Sequence, residues 1–293
     1  MEQRAHPRPA WLKARFPSGE RYFELKALMR GLDLHTVCEE ARCPNIGECW
    51  DRRSATIMLL GDTCTRACGF CAVKTGLPGA VDAGEPARVA QAVEKLGLRY
   101  VVLTSVDRDD LPDGGAWVFA ESIRQIRHRL PSCEIEVLTP DFKKSMVASL
   151  ETVLDARPDV FNHNVETTPR LYRTVRPGAS FEGSLELLRG ATKRRPDLRT
   201  KSGFMVGLGE SMAEACEVLE RLRDARVSIA TIGQYLQPTK DHLPVSRFVA
   251  PEEFRELKEH GERLGIPHVE SGPLVRSSYH ADEQSHVPAL SAR

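Results

Sequence analysis

The chain has 293 residues, 41% hydrophobic and 28% charged, the balance of an ordinary soluble globular protein long enough to bury a sizeable core. Its 41 Lys and Arg match its 41 Asp and Glu, which argues against a dedicated nucleic-acid binder. No apolar run approaches the roughly 18 residues needed to cross a bilayer, and the N-terminus lacks the apolar stretch of a secretory signal, so a cytoplasmic protein is expected.

Residues 1–53 are rich in Arg, Pro and Cys without a sustained period and read as an irregular N-terminal extension, with Pro7, Pro9 and Pro17 interrupting any long amphipathic helix. Beyond them the chain alternates. Apolar β-type runs at 55–61, 99–106, 134–141, 159–167, 201–209 and 228–236 read as strands. Helical patterns fall near 83–97, 116–129, 143–156, 181–194, 211–225 and 251–264, and Ser211 with Glu214 reads as a capping box. Such repetition predicts βαβ units on a parallel sheet, curled towards a barrel or laid out as a doubly wound layer.

In either form the active groups belong at the C-terminal ends of the strands. Polar residues gather there: Thr104, Ser105 and Asp107, then Asp141, then Asn164 and Glu166, then Gln234 and Gln237. Asp113 with Gly114 and Gly115 reads as a turn and helix start, because its spacing fits no phosphate-binding fingerprint.

The eight cysteines point to metal ligation or redox chemistry rather than a disulfide framework. Cys133 and Cys216 stand alone in apolar segments and read as small buried hydrophobes. The other six lie between Cys38 and Cys71. Cys64, Cys68 and Cys71 follow the first strand as C-x3-C-x2-C, too crowded for an ordinary zinc ribbon but suited to three corners of an iron–sulfur cubane. One iron then stays open to a small molecule. Cys38, Cys43 and Cys49 form C-x4-C-x5-C, a second trio able to share one centre, either another cluster or a zinc completed by a histidine such as His35.

The C-x3-C-x2-C spacing, with Phe70 before its last cysteine, resembles the radical S-adenosylmethionine (SAM) superfamily. CEEARCPNIGECW followed by GDTCTRACGFCAV narrows the resemblance to the lipoyl synthase family. The likeness continues through TSVDRDDLPDGGA, NHNVETTPRLYRTVRP, KSGFMVGLGE, QYLQPTKDHLPV and GPLVRSSYHA, and so spans nearly the whole chain.

That resemblance implies an α/β fold, a partial (β/α)6 TIM-like barrel over 54–250. The N-terminal extension (1–53) and a C-terminal helix and extension (251–293) would cover its open end. It implies two [4Fe–4S] clusters and S-adenosyl-L-methionine as cofactors. The implied reaction inserts two sulfur atoms at C6 and C8 of a protein-bound octanoyl-lysine, with the sulfur taken from an auxiliary cluster.

By resemblance, Cys64, Cys68 and Cys71 hold the radical SAM cluster. Cys38, Cys43 and Cys49 hold the auxiliary cluster together with a serine of Arg276-Ser277-Ser278-Tyr279, assigned to Ser278 with Ser277 as the alternative. Phe70, Thr104, Ser105, Asn164, Glu166 and Lys201 are the expected cofactor-binding residues. Implied partners are octanoylated lipoyl carrier domains (2-oxoacid dehydrogenase E2, glycine cleavage H protein), an electron donor such as a flavodoxin or ferredoxin, and an iron–sulfur assembly protein. Neither nucleic acid nor membrane is expected, and the chain reads as a monomer. Arg170, Arg173 and Arg176 are expected on a surface, facing either the carrier protein or solvent. Two competing readings are a different radical SAM sulfur insertion of the biotin synthase or methylthiotransferase kind, and a zinc-stabilised scaffold.

Overall fold

The structure is a computed structural model that describes residues 8–13, 19–41, 43–52, 54–284 and 286–290. Pro7 and Pro17, expected to interrupt the first segment, lie outside the described residues.

The elements run in chain order as α1 (Glu20–Gly31), β1 (His35–Thr36), α2 (Val37–Glu40), α3 (Ile46–Asp51), β2 (Thr56–Leu59), β3 (Thr63–Cys64) and β4 (Lys74–Thr75). There follow α4 (Glu85–Leu96), β5 (Tyr100–Ser105), α5 (Ala116–Arg129), β6 (Glu134–Leu138), α6 (Met146–Asp155), β7 (Val160–Asn162) and α7 (Tyr172–Val175). The last are α8 (Phe181–Arg194), β8 (Arg199–Val206), α9 (Met212–Asp224), β9 (Ile229–Gln234), α10 (Pro251–Arg263) and β10 (His268–Gly272).

One sheet carries the order β1-β2-β5-β6-β7-β8-β9-β10, parallel throughout except where β1 pairs with β2. Helices α4, α5, α6, α8 and α9 follow successive parallel strands, giving the partial barrel that the alternation implies. Two elements depart from the sequence reading. The N-terminal extension is not irregular: α1 buries Leu25 and Met29, and Tyr22 stacks on Trp50 of α3 at 4.9 Å between ring centroids. The sheet also gains β10, parallel to β9, from a segment whose polar HVESG sequence hides it.

Side chains alternate across the sheet as pleating demands. On β5, Val101 and Leu103 join the core beneath the helices, while Tyr100 and Val102 face the barrel interior. The lower interior is polar. Glu136 of β6 accepts hydrogen bonds from Tyr100 Oη (2.6 Å), Asn162 Nδ2 (2.7 Å) and Lys201 Nζ (3.2 Å). Glu136 and Lys201 are fully buried, and such a pair is tolerable only because its remaining lone pairs are satisfied. Above this layer the inward positions turn small or apolar, with Gly203 and Gly233 leaving room for a cavity.

The sheet does not close, since β1 and β10 are its two edges. A C-terminal strap, residues 274–284, crosses the seam. Asn45 Nδ2 donates to the Leu274 carbonyl at 2.6 Å, and Ala281 packs on Tyr100 and Val102 inside the barrel. Val275 seats so tightly that a Cβ on Gly233 would stand 2.1 Å from its carbonyl oxygen. Among the described residues no helix is long and apolar enough to cross a membrane.

Candidate active site

A cavity of about 680 Å³ opens at the C-terminal ends of the strands, and both cysteine trios line it. Phe70, Thr104, Ser105, Asn164 and Glu166 share its wall, and so do Ser277 and Ser278 from the strap. Lys201, expected among the cofactor contacts, is not part of the lining: it lies in the polar layer below, bound to Glu136. Its place at the start of β8, rather than the end, puts it on the wrong side of the barrel's waist.

The loop bearing Cys64, Cys68 and Cys71 is held from four directions. The β3–β4 pair closes its base, where the Gly76 amide donates to the Cys64 carbonyl at 2.9 Å. Between the first two cysteines, buried Arg66 binds Asp109 (Nε and Nη2, both 2.7 Å) and Asp141 (Nη1 2.8 Å, Nη2 2.7 Å), with Asp107 at 3.4 Å. Gly69 donates to the Val175 carbonyl at 2.9 Å and accepts from the Leu243 amide at 3.0 Å. Finally, His242 Nε2 donates to the Cys71 carbonyl at 2.9 Å. Arg66 and His242 escaped the sequence reading because Asp109 and Asp141 lie 43 and 75 residues from Arg66, and the Cys71 carbonyl 171 residues from His242. The polar residues noted at 107 and 141 were the available signal.

The sulfurs are electrostatically coupled. Burial pushes Cys38 up to about 11, with the neighbouring Cys43 adding to it, and Cys49 up to about 12, with Cys43 and Cys38 behind. In the other trio burial raises Cys68 to about 12 and Cys71 to about 11, while Cys64 is raised less decisively because the Arg66 amide opposes its burial. Two amides, of Arg66 at 3.4 Å and Asp107 at 3.3 Å, point at Cys64 Sγ. Thiols buried together ionise only when positive charge is brought among them, as iron brings it. The soft donor set fits iron–sulfur chemistry, and the trios share a cavity wall without three ligands converging on one point among the described residues.

Part of the lining is polar. Ser105 Oγ, Thr139 Oγ1 and Asn164 Oδ1 are buried with no hydrogen-bond partner among the described residues, which suits a polar ligand. Thr104 Oγ1, by contrast, donates to the Leu138 carbonyl at 2.8 Å. Glu166 sits at φ +65, a left-handed conformation rare for a side-chain-bearing residue, and is held there by amide bonds to Gly203 (3.0 Å) and from Met205 (2.9 Å). Burial pushes its carboxyl up, against the pull of Arg176 and Asn164.

Arg176 itself corrects an expectation. It is buried rather than surface-exposed, and its Nη1 donates to the Asn164 carbonyl at 3.1 Å and to Ser184 Oγ at 3.3 Å. It follows the end of α7, and its partners lie 12 and 8 residues away, separations that no local pattern announces. Arg170 is exposed and pairs with Glu214, and Arg173 is exposed. Cys133 is fully buried as expected, whereas Cys216 is only partly buried beside the second half of the core.

Comparison with known proteins agrees with this geometry. The radical SAM superfamily profile matches residues 58–222, and that of the N-terminal domain of lipoyl synthase matches residues 1–43. A lipoyl synthase of Rubrobacter xylanophilus is 61% identical over 97% of this chain and 88% of its own length. Those of Koribacter versatilis (56%; 95% and 91%) and Chloroflexus aurantiacus (57%; 94% and 89%) are similar over comparable spans. Among solved structures, methylornithine synthase superposes with a TM-score of 0.54 at 16% identity, covering 93% of this chain and 86% of that one. The hydrogenase maturase of Carboxydothermus hydrogenoformans gives 0.58 at 15% identity, covering 92% and 69%. At such identities these two likenesses bear on the fold alone. The sequence relatives, at more than half identity along almost the entire chain, go further: this chain belongs to the lipoyl synthase family of the radical SAM superfamily.

Proposed function

We propose that this chain converts a protein-bound octanoyl-lysine to the lipoyl form by inserting sulfur at C6 and C8, with Cys64, Cys68 and Cys71 holding a radical-generating [4Fe–4S] cluster. Cys38, Cys43 and Cys49, with Ser278, hold a second [4Fe–4S] cluster that is consumed as the sulfur source. The observation that carries this reading is the single cavity onto which both trios and the strap serines open. When bound, the clusters and SAM supply homolytic hydrogen abstraction from saturated carbon and the sulfur that replaces the hydrogen.

The protein's share is positioning and exclusion. Arg66, bound to three carboxylates, keeps Cys64 and Cys68 in one geometry, and the amides on Cys64 Sγ favour its thiolate form. Ser105 and Asn164 offer unmet polar atoms to the amino-acid end of SAM, and Glu166 offers a carboxyl to its hydroxyls. Phe70, on the cysteine loop itself, lines the cavity and offers the apolar contact for the adenine. Apolar Val37, Met58 and Leu138 in the same lining suit an acyl chain and keep water from it. Carrier domains of the E2 and H-protein type, a flavodoxin or ferredoxin and an assembly protein that rebuilds the consumed cluster are the matching partners.

The test is an anaerobic single turnover of reconstituted protein with octanoyl-lysine peptide, SAM and dithionite, followed by mass spectrometry. A doubly sulfurated peptide with about two 5′-deoxyadenosines per product, lost on changing Cys38, Cys43 or Cys49 to Ala, is expected. SAM cleavage with an unmodified peptide overturns the substrate assignment, and no cleavage by cluster-loaded protein overturns the enzymatic reading.

A further inference from the structure

Arg276, the first residue of the strap motif, lines the same cavity as Cys38, Cys43 and Cys49. Its surroundings are unusual for a guanidinium. Its Nη1 donates to the adjacent Val275 carbonyl at 2.6 Å, and no carboxylate among the described residues pairs with it. The strap on either side of it is fastened to the segment that carries Cys43 and Cys49: Asn45 Nδ2 donates to the Leu274 carbonyl at 2.6 Å, and Tyr279 Oη to Glu48 Oε1 at 3.4 Å. Its other flank is Gly233 of β9, where a Cβ would stand 3.1 Å from Nη1, so the strand is cut away to admit it. A cation drawn even partly out of water is costly unless an anion faces it. The buried arginines have acceptors on other residues, Arg66 on Asp109 and Asp141, Arg108 on Asp110, Arg176 on Asn164 and Ser184, whereas the half-buried Arg276 is bonded only to its own neighbour's carbonyl among the described residues.

We infer that Arg276 is the counter-cation of the iron–sulfur centre held by Cys38, Cys43 and Cys49, neutralising its negative charge from the strap. The inference rests on the proposed second cluster. Three thiolates and an alkoxide around such a core leave it net negative, and one fixed positive charge beside it stabilises the reduced, more negative form. The strap therefore brings two things to this centre, a ligand and a charge, and both arrive or leave together. Arg276 is a positioning and charge-balancing residue that makes no bond to the reacting atoms.

The experiment uses the full chain with Cys64, Cys68 and Cys71 changed to Ala, so that only the other trio can hold iron. Iron and sulfide are counted after anaerobic reconstitution. If this parent chain takes up no cluster, the two-cluster reading fails in a form visible before any arginine is touched, and the inference falls with it. If it does, R276Q and R276K are compared with it by a potentiometric EPR titration and by the rate of iron loss to a chelator. R276Q is expected to favour the oxidised centre at least tenfold, a fall of about 59 mV for one electron, and to lose iron faster, while R276K stays near the parent. Cluster uptake by R276K but not by R276Q also supports the inference. An unchanged potential in R276Q, or equal loss of the centre in both variants, overturns it.

Discussion

Arg66 meets Asp141 through two parallel hydrogen bonds, Nη1 to Oδ2 at 2.8 Å and Nη2 to Oδ1 at 2.7 Å, tying the cysteine loop to the end of β6. Arg66→Ala leaves the buried Asp141 and the largely buried Asp107 without their cation. A loss of about 3–5 kcal/mol in unfolding free energy is expected from urea titration, together with poorer iron retention by the Cys64 trio. Asp141→Asn, which keeps one acceptor, should lose distinctly less.

The Glu136–Lys201 pair makes a separate prediction about the barrel's lower layer. Lys201→Met strands a fully buried carboxylate among Tyr100 and Asn162 and should cost about 3–5 kcal/mol. The double variant Lys201→Met with Glu136→Gln should be more stable than Lys201→Met alone, as read from urea midpoints. SAM affinity of the folded double variant should match the parent, because neither side chain lines the cavity.

Acid stability should depend on the start of α9. Arg170 holds the Glu214 carboxylate down to about 2, with the Ser211 amide assisting. A depressed carboxyl contributes stability that is complete above its unfolded value of 4.5 and is lost as pH falls from there towards 2. Glu214→Gln should therefore flatten the acid limb of the melting profile between these values. Ser211→Ala removes the cap at all pH values, at a cost of about 1 kcal/mol.

The strap is fastened from outside by Arg52, which reaches Asp282 at 3.0 Å and Glu283 at 2.5 Å, and by His280 on Glu48 at 2.9 Å. These groups are partly exposed, so Arg52→Ala should change global stability by no more than about 1 kcal/mol. Amide exchange across residues 276–284 should nonetheless quicken severalfold, and added salt should quicken it in the parent chain.

How far the sequence revealed this architecture depends on the range of each signal. The six strands and the helices between them were legible because each carries its own apolar run, and Ser211–Glu214 because a cap is complete within four residues. The C-x3-C-x2-C loop was legible for the same reason. The second trio gained its meaning only from the resemblance, since the strap serine proposed to complete it lies more than two hundred residues away. α1 was hidden by a weak apolar stripe, and β10 by the polar side chains of His268, Glu270 and Ser271. Arg66 and His242 were not singled out, and Arg176 was expected on a surface, because the place of each is set by partners on other elements, and no local period records that.

The bond between Asn45 and Leu274 joins residues 229 positions apart, so one partner is made long before the other. At roughly 5–20 residues per second on the ribosome, the N-terminal thiols emerge tens of seconds before the segment that seals them in. During translation they are an open, unshielded trio, exposed to oxidants and stray metals. A product stopped short of Leu274 would lack that bond and leave those cysteines uncovered before the quality-control machinery.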